Sequence, residues 1–84
     1  MKLKPIQSNM TELTLNDGTQ VLFSYQTPVA CITDGEFFFT THKWSNTTTR
    51  HINKWRDANG FPPQMTTHKN QIFFDVLAEE EGAE

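Results

Sequence analysis

Asp34-Gly35 lies between two runs of strand-forming residues, PVACIT and EFFFT. Asp and Gly both tolerate the positive φ that a two-residue hairpin loop demands, so this pair restricts the fold more than any other feature of the chain. A two-residue loop sets the pairing. Thr33 faces Glu36, Ile32 faces Phe37, Cys31 faces Phe38 and Ala30 faces Phe39. Side chains alternate along a strand, which places Ala30, Ile32, Phe37 and Phe39 on one face and Val29, Cys31 and Phe38 on the other. Both faces are apolar and each needs cover. Helices are expected on one side. On the other, a second copy of the chain docking on Val29, Cys31 and Phe38 would complete the core as a homodimer. The alternative is that the C-terminal helix or the N-terminal segment folds over that face. The chain has 84 residues, and domains this small often need oligomerisation to finish a core.

The same logic extends upstream. TELTL alternates Thr11, Leu13 and Leu15 with Glu12 and Thr14, NDG at 16–18 supplies a turn, and TQVLFSY resumes the alternation with Val21, Phe23 and Tyr25 on one face. Pro28 cannot donate to a ladder and belongs at the start of a strand or on an edge. Residues 1–9 read as a loose lead-in or an edge segment. The expected sheet is a four-stranded antiparallel meander over 11–15, 20–26, 29–33 and 36–41.

From Ser45 the period changes. Thr48, Ile52 and Trp55 recur at i, i+4 and i+7, Ser45 or Asn46 can cap, and Gly60 with Pro62-Pro63 ends the run, so a helix is expected over 46–57. QIFFDVL reads as a strand or a helix; Ile72, Phe73, Val76 and Leu77 at helical spacing behind a capping Asn70, with AEEE continuing, favour a second helix over 70–80 with 81–84 as a frayed acidic tail. The fold class is therefore α+β, one small domain over 1–84, with one amphipathic helix and a second C-terminal helix packed on the meander. TTHK occurs at 40–43 and again at 66–69 with unrelated flanks, which does not make a repeat.

Charge is distributed unevenly. Net charge is −3, yet KWSNTTTRHINKW, residues 43–55, holds both tryptophans and three of the seven Lys/Arg residues, with Arg56 immediately after. On a helix with Thr48, Ile52 and Trp55 inward, Arg50 and Lys54 point outward with Asn53 between them, and Lys43 precedes the helix. Lys43, Arg50, Asn53 and Lys54 are the residue types that contact phosphates and base edges, so a nucleic-acid-binding face on 46–57 is one functional expectation. The bland counterpart is that any surface helix has a charged outer face, and an acidic chain is not a dedicated DNA binder. Trp55 falls in the apolar stripe and Trp44 is expected as a staple at the helix start rather than as an exposed stacking platform.

Other chemistries find less support. Cys31, His42, His51 and His68 lack metal-ligand spacing, so no metal site is expected. Cys31 lies mid-strand and reads as a small core residue. No nucleophile elbow, phosphate-binding loop or other catalytic motif is present, no catalytic residue or cofactor is assigned, and the chain is not expected to be an enzyme. A lone cysteine excludes an intrachain disulfide and fits a reducing compartment. MKLKPIQSNM has no apolar run behind its lysines, and no stretch is long enough to span a membrane.

VLFSYQTPVA followed by KWSNTTTRHINKW resembles a family of small uncharacterised proteins from tailed bacteriophages and marine viral metagenomes. The shared pattern is F-S-Y-x-T-P-V-A, a D-G hairpin, then K-[WY]-S-x-T-T-x-[RK]-H-I-N-K-W, covering Val21 to Trp55 here. QIFFDVL looks like the helical ending of that family, while the double proline and MTTHK fit it less well. The resemblance implies a viral origin and a place in the cytoplasm of an infected host cell; it carries no activity. Two functions are thus expected: a non-catalytic oligomeric interaction protein that binds a phage or host protein, or a small nucleic-acid-binding accessory protein.

Overall fold

A computed structural model describes residues 2–82, with side chains described for 3–78. Six strands, β1 (Lys2–Gln7), β2 (Met10–Thr14), β3 (Gln20–Ser24), β4 (Thr27–Thr33), β5 (Glu36–Thr40) and β6 (Thr66–Lys69), form one sheet in chain order. Helix α1 spans Asn46–Ala58 and α2 spans Gln71–Gly82. The class is α+β as expected, but the sheet has six strands and is mixed. Strands β1 to β5 are antiparallel neighbours, whereas β6 runs parallel to β5 and α1 carries the chain between them.

The Asp34-Gly35 hairpin forms as its residues dictate. Both take positive φ, +52° and +74°. The partners are Thr33–Glu36, Ile32–Phe37, Cys31–Phe38 and Ala30–Phe39. The preceding hairpin corrects two expectations. Strand β3 stops at Ser24, because Tyr25 adopts φ +60° in the turn and stands exposed instead of joining Val21 and Phe23. The β3–β4 register then slips, with Leu22 opposite Ala30 but Phe23 opposite Pro28. The extra residue is Val29. This bulge turns Val29 to the same side as Ala30, away from Cys31 and Phe38.

Each face of the sheet receives one helix. On the first, Met10, Leu22, Val29, Ala30 and Phe37 pack under Ile52 and Trp55 of α1, with Ile32, Phe39 and Phe61 at the margin. On the second, Leu13, Leu15, Val21 and Cys31 pack under Phe74 of α2, with Phe23, Phe38, Phe73 and Leu77 around them. Burying Phe37 and Phe74 completely contributes about 1.5–3 kcal/mol each.

Helix α1 starts where Ser45, in extended backbone, accepts the Thr48 N–H at 3.1 Å. It turns Thr48, His51, Ile52 and Trp55 inward, and the chain leaves it through Gly60 at φ +77°. Pro63–Met65 makes one 3-10 turn before β6. In α2, Asn70 Oδ1 accepts the Phe73 N–H at 3.1 Å. Residues 2–7, expected as a lead-in or edge segment, are the edge strand β1. Of the expected frayed tail, 81 and 82 belong to α2, and 83 and 84 lie outside the described residues.

Candidate functional site

The register decides which residues meet at each end of the sheet. The Asp17 and Asp34 turns and Glu36 lie at one end, beside Thr14, Gln20 and Thr33. Thr19 N–H donates to the Asp17 carboxylate at 2.9 Å and holds its pKa below the ordinary value. At the other end the chain leaves β5 at Thr40 and β6 at Lys69, and both helices begin there, α1 after Ser45 and α2 after Asn70. This end carries His42, Lys43, Arg50 and Lys69. Asp75, within α2, has its Oδ1 hydrogen-bonded to Gln71 Nε2 at 3.0 Å. An acidic chain thus gathers positive charge, and the positive ends of two helix dipoles, at one pole.

A groove of about 430 Å³ opens at this pole between α1 and the β5–β6 edge. Its floor is Phe37, Phe39 and Ile52; its rim includes His42, Lys43 and Trp44 from the β5–α1 loop and His68 from β6. Thr49, Asn53 and Arg56, one helical stripe, form the α1 wall. Among the described residues no acidic side chain lines it. Two ring pairs border the groove, His42 with Trp44 and Phe39 with His68, each with centroids 4.3 Å apart.

Trp44 is not the staple expected from the sequence. Its ring is 47% exposed, and its position comes from a hydrogen bond. Trp44 Nε1–H donates to Gln71 Oε1 at 2.9 Å, which also accepts the Thr40 hydroxyl at 2.8 Å. Gln71 Nε2 donates to the Pro28 carbonyl at 2.7 Å and to Asp75. One amide from α2 thus ties β4, β5 and the indole together. Trp55 behaves as expected: it is buried against Phe37, centroids 5.6 Å apart, with its Nε1–H on Glu12 Oε1 at 2.8 Å.

The four candidate nucleic-acid contacts separate. Lys43 and Asn53 line the groove. Arg50 is exposed and lies outside it, while Lys54 turns to the opposite flank and its ammonium donates to Gln7 Oε1. Arg56, Trp44, His42, His68 and Gln71 join the site without having been singled out for it. Arg56 is largely occupied. Its Nε donates to the Phe61 carbonyl, Nη1 to Asn53 Oδ1 and Nη2 to Asp57, at 3.1, 3.0 and 2.9 Å. Lys43 has no such partner and is the groove's free cation among the described residues.

The three residues expected at a dimer interface lie in different surroundings. Val29 is buried under α1 by the bulge, and Cys31 is buried under α2. Burial pushes the Cys31 thiol up to about 12, so it is a packing residue with no thiolate chemistry. Phe38 is partly buried, packed 6.0 Å from the Phe73 ring with the Lys69 ammonium over it. The chain's own α2 supplies the cover that a second subunit would otherwise provide.

His51 is buried on the inward face of α1. Its Nδ1 lies 2.7 Å from Ser24 Oγ, which lies 3.0 Å from Thr48 Oγ1. Ser45 Oγ donates to that same Thr48 oxygen at 3.3 Å. Thr48 donating to Ser24, and Ser24 to Nδ1 of a neutral His51, gives each of these contacts one donor and one acceptor. Burial, then the nearby Lys54 charge, lowers the His51 pKa, in keeping with the neutral ring. Ser24 and His51 are both buried, so this pair holds β3 to α1 and presents no nucleophile to solvent. Among the described residues no three His, Cys, Asp or Glu side chains gather as a metal set, and no helix is long and apolar enough to cross a membrane.

A family model matches residues 1–74, through both walls of the groove and Gln71. The chain belongs to that family, a family of unknown function (DUF8033). No curated protein and no solved structure matches it.

Proposed function

We propose that the protein is a non-catalytic binder of single-stranded nucleic acid that works at the basic pole of its sheet. The observation that carries this reading is Trp44, an exposed indole held by Gln71 beside the unpaired Lys43. A large aromatic side chain left half in water and fixed in place suits stacking on an unpaired base, which a paired duplex does not offer. Lys43 and Arg50 supply charge for phosphates, while the Lys69 ammonium lies over the Phe38 and Phe73 rings. The motif resemblance to tailed-phage proteins sets this activity, within the same proposal, in the cytoplasm of an infected host.

Fluorescence anisotropy of labelled single- and double-stranded oligonucleotides across a salt series tests it. Single strands should bind better than duplexes. Two phosphate contacts predict a slope of log K on log salt of about −1.4. Lys43→Ala/Arg50→Ala should flatten that slope by about one unit or more. Absence of binding at low salt, or an unchanged slope in the double variant, removes the reading.

A second reading, an interaction protein that associates with its own copy or with a phage or host protein, is favoured by a separate observation. Leu3 and Ile6 on β1 and Ile72 and Val76 on α2 are left exposed, Leu3 at 66% and Ile72 at 68%. Leu3 stands on the same face of the sheet as Cys31 and Phe38, at its β1 edge, and α2 covers that face.

A further inference from the structure

We infer that the groove between α1 and the β5–β6 edge is a pocket for one nucleobase with its attached phosphate, either a base splayed from a single strand or a free nucleotide. The inference rests on the nucleic-acid reading for its macromolecular form, and goes beyond it by assigning a bounded site to one nucleotide. Three features of the groove converge on that ligand. Its volume, about 430 Å³, falls within the about 300–1,000 Å³ of small-molecule sites, room for a nucleotide rather than a folded partner. Its borders are aromatic, with the His42–Trp44 and Phe39–His68 ring pairs offering π-faces to a flat ring. Its polar complement is one-sided. Lys43 is free to meet a phosphate, no carboxylate opposes it among the described residues, and Thr41, Thr49, Asn53 and Thr66 bring hydroxyl and amide groups to the walls for base or sugar edges.

The site is also pre-organised. Trp44 is locked from behind by Gln71, and Asn53 is held by Arg56 Nη1, which leaves its amide NH₂ available to a base acceptor. A ligand entering such a site orders few side chains on binding.

The test reads Trp44 directly. Trp55 is buried and Trp44 is exposed, so acrylamide quenches chiefly Trp44. A short single-stranded oligonucleotide, and separately AMP and UMP, are titrated into the full chain while quenching and affinity are followed. Binding should shield Trp44. Trp44→Ala should weaken the oligonucleotide about 5- to 100-fold, and Trp44→Phe should restore part of the loss. Thr49→Phe, on an exposed position of α1, fills the groove without removing a ring from the core. It should weaken binding at least as much while thermal unfolding shows the fold intact. If Trp44→Ala weakens the oligonucleotide but Thr49→Phe does not, the pocket is wrong and the wider reading stands; if both variants bind it as well as the parent, both readings are overturned. If a mononucleotide shields Trp44 and the oligonucleotide does not bind, the pocket stands as a free-nucleotide site and the wider reading is wrong. If neither probe binds, both are overturned.

Discussion

Helix α1 and helix α2 cover opposite faces of one sheet with different kinds of sequence. In α1 every charged side chain stays out of the core: Ile52 and Trp55 are buried together with Thr48 and His51, which Ser24 satisfies, while Arg50, Asn53 and Lys54 face out. In α2, Phe74 is buried and Phe73 and Leu77 partly so, yet Ile72 and Val76 are as apolar and stand in water. The apolar pair Ile52 and Trp55, with the Ser24 bonds of Thr48 and His51, therefore sets the rotation of α1, whereas α2 carries the Asn70 cap and the bonds of Gln71. The surfaces left over differ accordingly. Beside α1 there is a cationic, aromatic groove. Along α2 there is an apolar stripe, and at the β1 edge Leu3 continues the Leu13–Val21–Cys31–Phe38 row while itself lying exposed.

Each half of that contrast can be broken experimentally. The largest effect should come from Trp55→Ala and Phe74→Ala, each losing about 3–5 kcal/mol in urea unfolding. A domain of this size has roughly 4–13 kcal/mol in all, so either variant approaches unfolding. A loss under about 1 kcal/mol for Phe74→Ala alone would mean that α2 is not docked as described. Next is Ser24→Ala, which strands His51 Nδ1 and the Thr48 hydroxyl in the core and should cost about 1–3 kcal/mol. A neutral result would show that water or a rotated side chain replaces the serine.

A graded effect follows from His51. Its pKa is lowered in the folded chain by burial and by Lys54, while Ser24, Thr48 and the Tyr25 ring pack around it without charge. The unfolded chain therefore binds that proton more readily. The His51 contribution is fully present above the ordinary histidine value near 6.5 and declines as pH falls through and below it. His51→Gln should flatten this part of the stability profile between about pH 7 and pH 5. An unchanged profile would assign the titration to another group. The smallest effect on stability should be that of Ile72→Ser/Val76→Ser, within about 0.5 kcal/mol because both side chains are exposed. The same variant discriminates the second functional reading. Light scattering should report a dimer of the parent that the variant converts to monomer; a monomeric parent would leave the apolar stripe without a role in self-association.

What could be read in advance was what short-range chemistry controls. Asp34-Gly35 set a register that the structure reproduces pair for pair, and Ser45, Thr48, Ile52 and Trp55 defined α1. What escaped was set by distance. The described side chains of β1 are exposed, so it has no inward face to produce an alternating pattern. Strand β6 is four mostly exposed polar residues whose pairing depends on α1 returning the chain beside β5. The Val29 bulge breaks a period that alternation assumes. The site fared likewise. Lys43 and Asn53 were legible from composition and helical spacing, but Trp44 gains its place through Gln71, twenty-seven residues on, and His51 through Ser24 on another strand. Arg56 looked like one more surface cation until Phe61, Asn53 and Asp57 claimed its guanidinium.

Gln71 has a thermodynamic consequence of its own. It belongs to the helix on one face of the sheet, yet it fixes an indole at the rim of the groove on the other. The first turn of α2 cannot fray without releasing that indole, and the indole cannot be clamped without holding the turn down. Occupancy of the groove and local opening of α2 are therefore linked functions, each biasing the other by the same free energy. Amide exchange in the first turn of α2 should slow when the groove is filled, at a distance from anything the ligand touches.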